Sequence, residues 1–156
     1  MNIRFDQVLK KETVFLDIEP FHNKKELFRF LSNELKKQDI IDNVEEFVHA
    51  LNNRESMGST FMGNGIAIPH GKSHTVKKSS VIFCRFKEPF LYQSCNGENY
   101  ITLLFMIAIP ENQTNDQYLK ILASLAGLLA HLDFIEELKS LKNYDEMVSL
   151  FRNYIE

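Results

Sequence analysis

The chain has 156 residues and a formal net charge of −3, a length that suits one domain burying roughly two thirds of its unfolded surface. Its 18 Lys and Arg against 21 Asp and Glu lack the basic excess of a nucleic-acid binder, which argues against a DNA or RNA role. Charges interrupt the apolar residues of the first segment, no run approaches the ~20 residues of a membrane span, and the two cysteines, Cys84 and Cys95, have no CxxC spacing or zinc-like cluster around them. A cytoplasmic protein with reduced thiols, no metal and no cofactor is expected.

In chain order, Thr13–Ile18 reads as a short strand. Asn23 with Glu26 three residues on forms a capping-box pattern ahead of Leu27, Phe28, Leu31 and Leu35, whose spacing predicts a helix. Asp42 with Glu45 repeats the signal before Val44, Phe47, Val48 and Leu51, predicting a second helix that runs to Asn52 or Arg54. Ser80–Phe86 and Ile101–Ile109 are rich in β-branched and aromatic residues, and the second is almost continuously apolar, as for a central strand covered on both faces; Pro89 and Pro110 are expected to close these runs. Asp116–Ala130 places Leu119, Leu122, Ala123, Leu125, Ala126 and Leu129 at helical spacing. Two more helices follow, one carrying Phe134, Ile135 and Leu138, the other Met147, Val148, Phe151 and Ile155 after an Asn143 and Glu146 cap. This order predicts a single α/β domain over residues 1–156, with a mixed central sheet flanked by helices.

Between the second helix and the Ser80 strand lies RESMGSTFMGNGIAIPHGK, Arg54 to Lys72, which gathers four of the six glycines, Gly58, Gly63, Gly65 and Gly71, around His70. Glycine serves where backbone turns tightly or approaches a ligand. Ile66-Ala67-Ile68 is a short apolar segment that Pro69 pushes toward an extended form, so His70 is expected at the end of a strand. A neutral imidazole can accept a phosphoryl group and pass it on, and cations and backbone N–H groups would stabilise the equatorial oxygens. Arg54, Ser59, Thr60, Asn64 and the amides of glycines such as Gly65 and Gly71 are the candidate donors. On composition alone, an ordinary strand connection with a partly buried histidine explains the loop equally well.

The string MGSTFMGNGIAIPHGK resembles the active-site segment of the enzyme IIA domains of the mannitol/fructose class of the bacterial phosphoenolpyruvate-dependent phosphotransferase system, including its nitrogen-regulatory branch. NKKELFRFLSNELKKQDII, the pair Arg54 and Glu55, LLFMIAIP and LKILASLAGLL fall in the order such domains show, so the resemblance spans essentially the whole chain. It implies that His70 is phosphorylated by the carrier protein HPr or a paralogue and hands the group to an enzyme IIB partner, in this class generally on a cysteine. The membrane enzyme IIC would be reached only indirectly. Arg54 matches the family arginine beside the active histidine and is expected to be the main charge stabiliser. Tyr118 falls where such domains commonly carry a second histidine; its hydroxyl could bond a phosphate oxygen but carries no positive charge. That departure keeps a second reading in view, a regulatory enzyme IIA whose phosphorylation state at His70 controls partner binding.

Other residues read more plainly. A metal pair of His70 and His74 lacks helical geometry across Pro69 and Gly71. His22, His49 and His131 are expected at the surface or in structural positions, Glu55 as a support for the Arg54 side chain, the Phe21, Phe28, Phe30, Phe47 group as packing, and Lys72, Lys77 and Lys78 as a solvated face.

Overall fold

The structure, a computed structural model, describes residues 4–94, 97–112 and 115–155; Cys95, one of the two predicted thiols, lies outside them. After a short helix α1 (Phe5–Val8) and a 3-10 turn (Lys11–Thr13) come β1 (Val14–Ile18), α2 (Lys24–Lys37), α3 (Val44–Ser56), β2 (Phe61–Gly63), β3 (Ile66–Ala67), β4 (His70–Ser73), β5 (Ser80–Ser94), β6 (Gly97–Pro110), α4 (Asn115–Leu129), α5 (Leu132–Ser140) and α6 (Tyr144–Ile155). The strands form one six-stranded mixed sheet in the order β1-β5-β6-β3-β2, with β4 also paired to β6. The predicted mixed α/β architecture is the observed one.

Two-sided burial explains the sequence of the central strands. Along β6, Leu103, Phe105, Ile107 and Ile109 face a core shared with α1, α4, α5 and α6, while Ile101, Leu104, Met106 and Ala108 face one built with α2 and α3. Alternation in a strand covered on both sides leaves no polar face, so the period-two signal disappears into a continuous apolar run. Each large side chain so buried contributes about 2 kcal/mol.

Helix entry follows side-chain caps. The Asn23 carboxamide accepts from the Glu26 N–H at 2.9 Å, and Asn143 does the same for Glu146 at 2.9 Å. For α3 the expected cap is corrected by one residue. Asn43, not Asp42, is the N-cap and accepts from the Glu46 N–H at 3.1 Å; the backbone N–H groups of both Asp42 and Asn43 are tied to Thr75, which holds the chain extended up to Asn43 and starts the helix after it.

Two further expectations change. Pro89 does not end β5; the strand runs on to Ser94, with its register against β6 shifting between Arg85 and Phe90. A bulge accommodates a residue that cannot donate to the ladder. And His70 does not close a strand but opens one. Chain 66–73 runs parallel to β6 throughout, Ile66 opposite Leu103 and His70 opposite Ile107. Pro69, lacking an N–H, interrupts the run while its carbonyl accepts from Ile107 at 3.0 Å.

Candidate active site

His70 is positioned from three directions. Its own backbone is in β4. One residue later, Gly71 turns toward α3, where an added Cβ would meet Phe47 Cε1 at 3.2 Å and Ala50 Cβ at 3.3 Å. The glycine therefore lets helix and strand approach closely, and the alternation of a strand sends the His70 side chain to the other side, where the Tyr118 ring from α4 meets it edge-on with centroids 5.5 Å apart. Arg54, in the last turn of α3, reaches the same imidazole.

The two ring nitrogens are in different situations. Nδ1 lies 2.9 Å from the Ile68 carbonyl, which can only accept, so Nδ1 carries the proton. Nε2 is then the lone-pair nitrogen, and the Arg54 Nε–H donates to it at 3.0 Å while Arg54 Nη1 donates to the Gly58 carbonyl at 2.8 Å. The pairing fixes a neutral imidazole in one tautomer. Burial disfavours its protonation and is the largest influence, the Ile68 bond partly opposes this, Arg54 adds to it and Glu55 works against it, with the net effect of holding His70 below the usual histidine value. The residue is 7% exposed, with Nε2 turned to the cation that would meet an anion arriving there.

The imidazole is on the wall of an open cleft of about 600 Å³ formed with Arg54, Gly71 and Tyr118. Its lining adds Asn53, Met57, His49, Lys72 and His74, together with Glu45, Glu46 and Glu111. His49, expected at the surface or as a structural residue, lines this cleft, and His74 pairs its Nε2 with Glu46 at 2.8 Å rather than with His70. Among the described residues no group of His, Cys, Asp and Glu has the geometry of a metal site. Glu45, Glu46, His49 and Asn53 come from α3, upstream of the glycine loop, and helical periodicity in VEEFVHALNNRES, which puts Glu46, Ala50 and Asn53 on one stripe with the next turn, is the signal that would have found that face.

Four expected phosphoryl-binding residues are used differently. Asn64 and Gly65 both have positive φ, 52° and 72°, the signature of a two-residue hairpin turn of the I′ kind, here joining β2 to β3. Ile66, next to them, is four ladder positions from His70, roughly 13 Å along the sheet. The Ser59 hydroxyl accepts from the Phe61 N–H at 3.1 Å and shapes the turn after α3. Thr60 is buried; its hydroxyl donates to Glu55 Oε2 at 2.5 Å and lies 2.7 Å from the Tyr92 hydroxyl. None of the four lines the cleft. Glu55 is not bonded to Arg54 directly: its other oxygen is bonded to Lys24 Nζ at 2.7 Å, because consecutive helical residues point about 100° apart.

With that geometry in place, likeness to known proteins becomes specific. The sequence pattern of the family described as "Phosphoenolpyruvate-dependent sugar phosphotransferase system, EIIA 2" matches residues 7–154. The fructose-specific EIIABC component of Bacillus subtilis (strain 168) is 30% identical over 152 residues, 97% of this chain and 24% of that protein. Across the first three such multidomain relatives the chain spans 20%, 22% and 24% of their length. Among solved structures, the nitrogen regulatory protein IIA-Ntr from Neisseria meningitidis superposes with a TM-score of 0.82 at 28% identity, covering 93% of this chain and 97% of that one. The enzyme IIA of Escherichia coli solved in complex with phosphorylated enzyme IIB of the mannitol system gives 0.74 at 27% identity, covering 94% and 99%. A cation-paired imidazole at the foot of this cleft thus sits in a chain that belongs to the type 2 enzyme IIA family of the phosphoenolpyruvate-dependent sugar phosphotransferase system, related both to its mannitol and fructose components and to its nitrogen-regulatory proteins.

Proposed function

We propose that this chain is a cytoplasmic histidine phosphocarrier of fructose/mannitol-class sugar uptake, taking a phosphoryl group from HPr or a paralogue onto Nε2 of His70 and passing it to an enzyme IIB. The observation that carries this is the pair of ring contacts: Nδ1 lies against the Ile68 carbonyl, which assigns it the proton, and Nε2 accepts from Arg54, whose guanidinium is paired with no carboxylate among the described residues. In the transfer, the Nε2–P bond forms as the donor's P–N bond breaks and the donor imidazole leaves with that bond's electron pair. Attack leaves positive charge on the His70 ring, which the Nδ1–H shares with the Ile68 carbonyl. The Arg54 Nε–H cannot stay on Nε2 once phosphorus is there. Held through Nη1 to Gly58, the guanidinium re-aims its remaining donors at the equatorial oxygens, a role in which positioning and charge stabilisation supply nearly all the catalysis.

Incubation with phosphoenolpyruvate, the general first enzyme and HPr is expected to label native protein once, at a phosphohistidine whose 31P signal has the Nε2 position, and to leave His70→Ala unlabelled. Equal labelling of the variant, or a signal from the Nδ1 isomer, would refute the assignment. A second reading has its own observation, Tyr118 against the imidazole together with the likeness to the Neisseria IIA-Ntr: a doubly charged group on His70 would switch contact with a regulated partner. Enzyme IIB retained by the phosphorylated protein supports the carrier; state-dependent retention of a different protein supports the switch.

A further inference from the structure

Directly beneath the active-site arginine lies a polar cluster that the phosphoryl chemistry does not itself use. Lys24 opens α2, Glu55 follows Arg54 at the end of α3, Thr60 precedes β2 and Tyr92 is on β5. Lys24 and Glu55 are joined at 2.7 Å with side chains only 18% and 10% exposed. The Thr60 proton goes to Glu55 Oε2, so the fully buried Tyr92 hydroxyl donates to Thr60 Oγ1 at 2.7 Å. The Lys24 ammonium sits 4.0 Å from the centroid of the Tyr92 ring, adding a cation–π contact.

Such a cluster is costly to assemble, since a buried ion pair returns little net stability over an apolar replacement. Its placement gives it a different value. Glu55 is bonded on one oxygen to Lys24 and on the other to Thr60, and both anchors pull it away from its neighbour in sequence. Arg54, one residue earlier, is left with a neutral imidazole and a carbonyl. The cluster also ties the two ends of the Arg54–Thr60 turn, which carries the Gly58 carbonyl that holds Nη1.

We infer that Lys24 and Glu55, pinned by Thr60 and Tyr92, are positioning residues for the phosphoryl site: Lys24 cancels the Glu55 charge and anchors its carboxylate, so that the guanidinium of Arg54 keeps its charge and its aim for the group on His70. This rests on the phosphocarrier reading of that site. The groups that act on His70 are Arg54 and Glu55 from α3 and Tyr118 from α4, and the cleft also carries Glu45, Glu46 and His49 of α3, Lys72, His74 and Glu111. Exposing the Glu55 charge therefore favours the imidazolium, and deleting it favours the neutral ring, since Glu55 already acts in that direction.

The test uses Lys24→Met, Glu55→Gln and the double variant of the full chain. Each is first titrated unphosphorylated by following the His70 ring signals in NMR, and then assayed for the rate of phosphoryl transfer from phospho-HPr, with thermal midpoints recorded as a folding check. Lys24→Met is expected to raise the His70 titration midpoint and slow transfer about tenfold, as a modest misplacement of a stabilising group does. Glu55→Gln should lower that midpoint. The double variant should return both the midpoint and most of the rate, because it leaves neither an unpaired buried charge nor a net change of charge near His70, and contacting residues couple rather than add. A Lys24→Met protein with native titration and native rate overturns the inference, as does a double variant as slow as Lys24→Met. If the native chain accepts no phosphoryl group at all, the carrier reading falls while the titrations still decide the charge balance. If the native chain is labelled but the three variants titrate alike, the carrier reading stands and the positioning role falls.

Discussion

Two arginines of this molecule, both largely withdrawn from water, are held in opposite ways. Arg85 on β5 sends Nε and Nη2 to the two oxygens of Asp17, each at 3.0 Å, and Nη1 to the Leu138 carbonyl at 3.1 Å. Each of its three nitrogens donates a hydrogen bond, its charge is matched, and the Arg85 bond holds the Asp17 carboxyl below the usual carboxylate range. Three separate elements, β1, β5 and α5, are thereby joined. Arg54 has the same fork and a carboxylate for a neighbour, yet that carboxylate is bonded to Lys24 and Thr60, and the guanidinium rests on an imidazole lone pair and one carbonyl. A matched arginine is a clamp; one whose charge is left unmatched next to a reactive nitrogen is poised for an anion.

The difference is sharpest on deletion. Arg54→Ala should lower phosphoryl transfer by roughly 10²-fold, the cost of removing one preorganised donor, with a smaller loss of thermal midpoint than Arg85→Met, because the groups it leaves, His70 Nε2 on the open cleft and the half-buried Gly58 carbonyl, can be reached by water. Rapid-quench labelling alongside thermal melts checks both halves, and a native rate would erase the functional distinction between the two arginines. Arg85→Met should show the reverse. Its carboxylate partner is 58% exposed, so solvent screens the ion pair, and the expected loss is about 1–3 kcal/mol, chiefly from the unpaired Leu138 carbonyl and lost buried hydrogen bonds. Chemical denaturation measures that loss, and transfer should stay within about twofold of native.

How much of this was legible beforehand differs between scaffold and site. The helices and central strands could be read because their apolar residues recur at the helical period or fill a two-sided strand, and local caps such as Asn23 and Asn143 sit next to what they cap. His70 and Arg54 could be found because an unusual loop string marks them. The local uses of Asn64, Gly65, Ser59 and Thr60 were hidden: a glycine-rich loop looks the same whether its glycines make a hairpin turn, admit a helix, or cradle an anion, and only φ values and neighbours separate these cases. The partnership of Lys24 with Glu55 spans 31 positions of sequence, and no local pattern reports it. Arg85 and Asp17, 68 positions apart, were equally invisible.

The smallest expected effect tests which part of Tyr118 matters. What joins it to His70 is a T-shaped ring contact, at 5.5 Å between centroids, and burial raises its hydroxyl above the usual tyrosine value, so it remains a neutral group. Tyr118→Phe should therefore change phosphoryl transfer by no more than about threefold, within the span of one neutral hydrogen bond, whereas a larger loss would show that the hydroxyl reaches the phosphoryl oxygens. Tyr118→Ala acts through hydration instead. His70 is held below the ordinary histidine value near 6.5 chiefly by burial. Opening its ring to water should raise that value toward 6.5. The sign for stability follows. An imidazole harder to protonate when folded leaves the native state at full stability above pH about 6.5 and weakens it as pH falls from there toward the folded-state value, because the unfolded chain then binds the extra proton. Raising the folded value narrows that window, so Tyr118→Ala should lose less of its own stability than the native chain does between neutral and mildly acid pH, even if its packing makes it less stable at every pH. Denaturation midpoints at several pH values measure this, and parallel acid-side slopes for the two proteins would show that the tyrosine ring does not keep water from the imidazole.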